Sequence, residues 1–179
     1  MLSVGELSPR KGFAFLIESL ALIPPGQRPS LRIVANSEVP GERDYLTRLA
    51  GDRLVDVEFR MRPGRAELVG EYNEAALCVY APYDEPLGLV ALEAMACETP
   101  VVGVREAGVA ETVVHGETGI LVGRDAAEFA DAVVALLARP ALASDYGTNG
   151  RVHVRANWTW ERSVSELEGH LAAASGRSV

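Results

Sequence analysis

Cysteine, histidine and tryptophan are all scarce in this chain: its 179 residues include two cysteines, three histidines and two tryptophans. Cys78 and Cys97 both lie in apolar runs, so they read as buried thiols in a reducing compartment rather than as a disulfide. His115, His153 and His170 are far apart, and no group of Cys and His has metal-ligand spacing. No apolar stretch is long enough to span a membrane, and the N-terminus has neither the basic nor the apolar region of a signal peptide. A cytoplasmic protein with no membrane span is expected. Cations are also in deficit: 17 Lys and Arg against 25 Asp and Glu give a net charge of −8. That argues against a general nucleic-acid binder, which would show a basic face. Any phosphate site has to be local, built from a few cations and backbone N–H groups.

What is present is a chain of the length of one α/β domain, 48% hydrophobic, able to bury a sizeable core and far from the composition of disorder. It has no internal repeat and no low-complexity linker, and the tail Ser175–Val179 is expected to fray. Short apolar runs rich in Val, Ile and Leu predict strands at Leu2–Val4, Leu31–Ala35, Val55–Phe59, Leu77–Ala81, Pro100–Val104 and Gly119–Val122. Helical patterns lie between them. Phe13, Leu16, Ile17 and Leu20 form the first stripe, ended by Pro24-Pro25; Glu42–Ala50, Ala66–Ala75, Leu87–Ala96, Ala126–Leu137 and Glu161–Ala173 follow. This alternation predicts an α/β fold with a doubly wound, mainly parallel sheet, in which ligands bind outside the carboxyl ends of the strands.

Four loops fall at those ends. In Ala81-Pro82-Tyr83-Asp84-Glu85-Pro86-Leu87-Gly88-Leu89-Val90-Ala91-Leu92-Glu93, a strand gives way to a helix. Pro86 suits the first helical position, Gly88 allows close backbone approach, and the free N–H groups of the first turn favour an anion. Glu85 stands before that turn. Glu93 lies on the helix beside an inward stripe of Leu89 and Leu92. An ionised carboxylate there needs a partner, and a ribose diol would serve; taken alone, Glu93 reads first as a solvated residue at the stripe's border. After the first strand, Gly5-Glu6-Leu7-Ser8-Pro9-Arg10-Lys11-Gly12 sets two cations at a helix entry, either a phosphate site or an ordinary solvated basic pair. Its glycine spacing is not that of a Walker loop. Arg60-Met61-Arg62-Pro63-Gly64 after the third strand and Arg105–Glu111 after the fifth line a cleft or plain surface.

Together these loops resemble the C-terminal, donor-binding domain of the large retaining glycosyltransferase family that includes sucrose synthase, glycogen synthase and bacterial mannosyltransferases, the family 4-like group 1 enzymes of two-domain GT-B architecture. The resemblance runs from Leu2 to about Leu171. Its most specific element is the pair Glu85 and Glu93 with seven residues between; Thr99-Pro100-Val101-Val102, Gly108-Val109-Ala110-Glu111 and His115-Gly116-Glu117-Thr118-Gly119 follow in the family's order. The resemblance implies that Glu85 contacts the donor sugar near its reacting face and that Glu93 grips the ribose. The backbone of Leu87, Gly88, Leu89 and Val90 would hold sugar and diphosphate, Lys11 would meet the diphosphate, and Arg60, Met61 and Arg62 would flank the base. It implies transfer of a hexose from a nucleotide diphosphate sugar with retention at the anomeric carbon. No metal or other cofactor enters, and Lys11 and the helix start stabilise the leaving group.

The chain departs from the family pattern where Glu6 replaces the usual Arg, Glu98 the usual Gly, and Ala35-Asn36-Ser37 the usual Gly-x-Gly. A like charge about 5 Å from a diphosphate costs roughly 3 kcal/mol at an effective dielectric near 20, and Arg10 in the same loop is the residue placed to compensate. Residues 1–179 are expected to form a single nucleotide-sugar-binding domain. The N-terminal acceptor-binding domain is expected to be absent from this chain and to come from the rest of a longer protein or from a partner chain. In resembling enzymes the terminal helix, with Val164, Leu167 and Leu171 at helical spacing, packs towards that half; otherwise its stripe packs on its own sheet. The alternatives are a non-catalytic nucleotide binder, suggested by Glu6, a GT-B epimerase, and a phosphoacceptor receiver. The Glu85/Glu93 spacing fits the epimerase less well. A receiver needs an acidic cluster after the first strand and an Asp after the third, where this chain has Glu6 alone and Arg60-Met61-Arg62.

Overall fold

A computed structural model describes residues 1–175, so the expected fraying of the tail beyond Ser175 lies outside the described residues. Strands β1 (Leu2–Val4), β2 (Leu31–Ala35), β3 (Val57–Met61), β4 (Cys78–Tyr80), β5 (Val101–Val104) and β6 (Gly119–Val122) form one sheet in the order β3-β2-β1-β4-β5-β6. Every neighbouring pair is parallel. Such strands need cover on both faces, and the helices supply it. Against one face lie α1 (Phe13–Ala21), α2 (Glu42–Arg53) and α6 (Ala126–Leu137), which bury Leu16, Ile17, Leu20, Leu46, Phe129 and Val133. Against the other lie α3 (Arg65–Glu74), α4 (Leu89–Ala96) and α5 (Ala107–Thr112), through Tyr72, Ala91, Met95 and Val109. The sheet is doubly wound, as the alternation of runs predicts.

The strand order reverses between β1 and β4. The loops leaving their carboxyl ends therefore diverge to opposite faces and leave a crevice between them.

Several boundaries differ from the sequence reading. The third strand starts at Val57, because Leu54 turns left-handed (φ 55°) and Val55 N–H still bonds back to Ala50 at 2.9 Å. It runs on to Met61 opposite Ala35, so Arg60 and Met61 are strand residues and not loop residues. Helix α4 starts at Leu89, two residues later than the stripe suggests. Gly88 caps it at φ 78°, a conformation outside the helix, so Pro86 is a loop residue and not the first of the helix. Most of the Arg105–Glu111 segment is helical, as the start of α5 (Ala107–Thr112).

Helix α7 (Pro140–Asn157) has no counterpart in the sequence reading. Its buried residues are Gly147 and Gly150, and a Cβ at Gly147 would collide with the Glu98 carbonyl. With glycines at its closest approach and only half-buried Leu142, Ala143, Tyr146 and Val154 beside them, its apolar stripe is weak. Helix α8 (Trp160–Ser175) buries no residue; Val164, Leu167 and Leu171 are 50%, 58% and 60% exposed, so the stripe does not pack on the chain's own sheet. Among the described residues no helix is long and apolar enough to cross a membrane. Cys78 and Cys97 are free thiols, the first buried and the second half-buried; burial raises both, Cys78 to about 12.

Candidate functional site

The crevice is built from two loops knitted together. After β1 the chain passes Glu6 and makes a 3-10 turn over Pro9–Lys11, closed by Gly12 at φ 71°. Gly12 sits against the backbone at Ala81, where a Cβ would overlap the carbonyl oxygen; only glycine lets the loop after β1 come so close to the end of β4. The loop after β4 answers with a hydrogen bond from Tyr83 N–H to the Arg10 carbonyl at 2.7 Å, and an Arg10 guanidinium nitrogen lies 3.5 Å from the Asp84 carbonyl.

This contact brings Lys11 and Glu85, 74 residues apart in sequence, to 2.8 Å between Nζ and Oε2. The side chains are 27% and 14% exposed, so the pair is only partly screened by water. The other oxygen of Glu85 accepts the N–H of Gly88 at 3.4 Å. Burial works to raise the Glu85 carboxyl. The Lys11 ammonium, the Tyr80 phenol and the Gly88 N–H favour the charged form and together hold it below the usual carboxylate range. Burial, with the Glu85 charge nearby, pushes the Tyr80 phenol up, so it stays protonated beside the carboxylate. In helix α4 the first backbone bonds are Ala91 and Leu92 N–H to the Gly88 carbonyl, which leaves the N–H groups of Leu89 and Val90 for a ligand.

Glu93 lies one turn further along α4. It is exposed, and the hydroxyl of Tyr72 on α3 donates to its Oε2 at 2.8 Å. That bond orients one oxygen and leaves the other without a partner among the described residues. The stripe itself is narrower than the sequence suggests: Leu92 is buried, while Leu87 and Leu89 are exposed.

A cavity of about 220 Å³ between the two loops is lined by Glu6, Arg10, Lys11, Tyr83 and Glu85, and a second of about 110 Å³ by Gly5, Glu6, Val34, Asn36 and Pro63. Glu6 forms a wall of both. It is exposed, and Ser37 Oγ donates to it at 3.2 Å. The two acids and two bases of the first cavity cancel, so Glu6 removes the net positive charge an anion site would have. A larger cavity, about 590 Å³, lies at the amino ends of β1, β2 and β3 beside Met1, Ser30 and Asp56. It meets neither loop, and Arg32 there is paired with Glu58 and Glu71.

The residues after β2 and β3 are only partly drawn in. Arg60 is exposed and paired with Glu58 at 2.9 Å, and Met61 is partly buried against the core. Arg62 is exposed and left-handed at φ 54°, its N–H bonded to Ala35 at 2.7 Å. Among the described residues, no group of three or more His, Cys, Asp or Glu could hold a metal ion.

Two contributors escape sequence reasoning. Tyr72 reads as an ordinary core residue of α3. Arg124, just after β6, reaches Ala81 and Pro82, 43 and 42 residues away, a separation at which no local pattern exists.

A parallel sheet in this order, with an anion-suited helix start and a lysine–carboxylate pair at its point of reversal, defines a Rossmann-like domain of the GT-B kind. Comparison with known proteins makes this specific. The family described as "Glycosyl transferases group 1" matches residues 1–139. The chain is 36% identical over 180 residues to a D-inositol 3-phosphate glycosyltransferase of Pseudarthrobacter chlorophenolicus, covering 97% of this chain and 42% of that protein. Sucrose-phosphate synthase from Thermosynechococcus elongatus superposes with a TM-score of 0.84 at 35% identity, over 97% of this chain and 46% of that one. HepE of Anabaena, solved in complex with UDP, superposes with a TM-score of 0.81 at 25% identity, over 96% of this chain and 48% of that one. The chain belongs to the group 1 glycosyltransferases. It spans about two fifths of the length of the curated relatives it matches, 42% in the case above.

Proposed function

We propose that this chain is the donor-binding domain of a retaining glycosyltransferase that moves a hexose from a nucleotide diphosphate sugar to an acceptor. The observation that carries the reading is the Lys11–Glu85 pair, set between the two loops of the crevice beside the open N–H groups of α4. A donor entering there meets cation, carboxylate and helix start together. In this reading the diphosphate takes Lys11, Arg10 and the N–H groups of Leu89 and Val90, with the backbone of Leu87 and Gly88 alongside. The charge that grows on the leaving nucleotide is met by the same groups, with no metal ion required. Glu85, freed from part of its bond to Lys11, faces the sugar hydroxyls. The unpartnered oxygen of Glu93, held by Tyr72, accepts from a ribose hydroxyl. Arg62 flanks the base, and Arg60 and Met61 border it from β3. Similarity to a protein solved with UDP supports a nucleoside diphosphate as the ligand. The free thiols support a reducing, cytoplasmic setting.

A binding screen of UDP-, GDP- and ADP-glucose on the purified chain, followed by chemical-shift mapping, tests the proposal. Shifts should gather at Lys11, Gly88–Val90 and Glu93. Shifts confined to the amino ends of the strands, or no binding at millimolar ligand, would sink it.

The acceptor is held, in this reading, by a second domain or a partner chain. Transfer needs two substrates fixed together, and a donor on an open face leaves its anomeric carbon in water. A second reading, a binding module with a degenerate site, draws on Glu6, whose charge cancels one of the two cations of the cavity.

A further inference from the structure

Arg124 is the most heavily engaged side chain near the crevice, yet it lines neither of the two cavities described there. Its side chain is 17% exposed. Nη1 donates to the Ala81 carbonyl at 3.0 Å and Nη2 to the Pro82 carbonyl at 2.6 Å. Nε and Nη2 clasp the two oxygens of Glu106 at 2.9 and 2.6 Å. The guanidinium lies 3.8 Å from the centre of the Tyr83 ring and 5.3 Å from that of Phe15.

These contacts hold the loop that carries Glu85 at two places. The first is direct, through the carbonyls of Ala81 and Pro82. The second runs through Glu106, the N-cap residue of α5: the N–H of Gly108, in the first turn, donates to the Glu85 carbonyl at 2.9 Å. Pro82 and Pro86 have no N–H, so this loop has fewer backbone donors of its own and depends on outside groups for its order. One planar guanidinium suits the task, because its donors leave in fixed directions towards both carbonyls and the carboxylate. Its charge is taken up by Glu106, so it is poorly placed to attract a diphosphate.

We propose that Arg124 is a positioning residue for the donor sugar: it sets the loop from Ala81 to Gly88 so that the carboxylate of Glu85 faces the sugar and not the solvent. The inference rests on the donor-binding reading for the identity of the ligand, but the hold on the loop stands on the hydrogen bonds alone.

The test uses the full chain with Arg124→Lys, which keeps the charge and loses the fork, and Arg124→Gln, which removes the charge. UDP and UDP-glucose are the probes, titrated by calorimetry, with amide hydrogen exchange on the ligand-free chain. In both variants UDP should bind within about threefold of wild type, while the preference for UDP-glucose over UDP falls by about tenfold, the effect of roughly one lost hydrogen bond to a charged group. Exchange at Gly88 and Gly108 should speed up by at least about tenfold, with the core amides of Val79 and Val102 unchanged, which separates loosening of the loop from loss of the fold. Unchanged protection at Gly88 and Gly108 overturns the proposal whether or not any ligand binds. Equal losses for UDP and UDP-glucose overturn it too, since they assign Arg124 to the diphosphate or to the fold. If the wild-type chain binds neither probe, the donor-binding reading fails, and the hold on the loop is decided by the exchange measurement.

Discussion

Replacing Lys11 by methionine separates the two forces that act on Glu85. Burial pushes that carboxyl up, and the ammonium 2.8 Å away is the first of the groups that hold it below its usual range. In Lys11→Met the burial stays and the cation goes, so the Glu85 titration midpoint must rise. The sign for stability follows. A carboxyl depressed in the folded state stabilises the fold fully above the ordinary glutamate range and loses that contribution as the pH falls through the folded value. The wild-type chain should therefore lose stability on acidification below that range, and in the variant that acid-side loss should shrink, because the folded-state midpoint moves up towards that of the unfolded chain.

Ligand affinity changes as well. A hydrogen bond between charged groups is worth about 1.5–3 kcal/mol, or roughly ten- to a hundredfold in Kd. The lower part of that range applies, because in the empty site Lys11 is already bonded to Glu85 and must share itself with the diphosphate. Calorimetry with UDP, together with an NMR titration of the Glu85 carboxyl in both proteins, measures both effects. An unchanged affinity would show that Lys11 does not meet the diphosphate, and an unmoved Glu85 midpoint would refute the account of what holds the carboxyl ionised.

Three further outcomes are expected. Glu93→Ala should weaken UDP by about 1.5–3 kcal/mol and leave pyrophosphate nearly untouched, with Tyr72→Phe giving a smaller loss of about 0.5–1.5 kcal/mol; equal losses for UDP and pyrophosphate would show that Glu93 does not hold the ribose. Glu6→Arg should tighten UDP binding and steepen its dependence on salt, since it replaces repulsion by attraction in the cavity wall; an unchanged Kd means that Glu6 keeps its carboxylate with Ser37, clear of the ligand. The isolated chain should transfer no sugar from a matched donor to a panel of acceptors until an N-terminal half is added in trans, and robust transfer without it would falsify the two-part reading.

How far the sequence reveals this protein depends on whether a feature is local. The six strands were legible because buried parallel strands are continuous apolar runs, and β1, β2 and β6 keep the bounds read from the chain. Lys11, Glu85 and Glu93 could be named because the loops that carry them match a known spacing. The ion pair between the first two could not, since it exists only where the order of strands reverses. Helix α7 was missed because its fully buried residues are glycines, and Arg60 reads as a loop residue because the strand runs two residues further than its apolar run, where the guanidinium pairs with Glu58. Arg124 and Tyr72 were invisible for the same reason as the ion pair: each acts on a partner that only the tertiary fold brings near.

The seating of Gly12 against Ala81, with the bond from Tyr83 to Arg10, has a thermodynamic consequence. Two loops that interlock before any ligand arrives have already given up most of their freedom. A nucleotide that enters between them orders little new backbone, and its binding entropy should carry only a small conformational penalty. Enlarging Gly12 to alanine would part the loops and transfer that ordering to the moment of binding, so the affinity would fall through entropy while the groups that touch the ligand stayed the same.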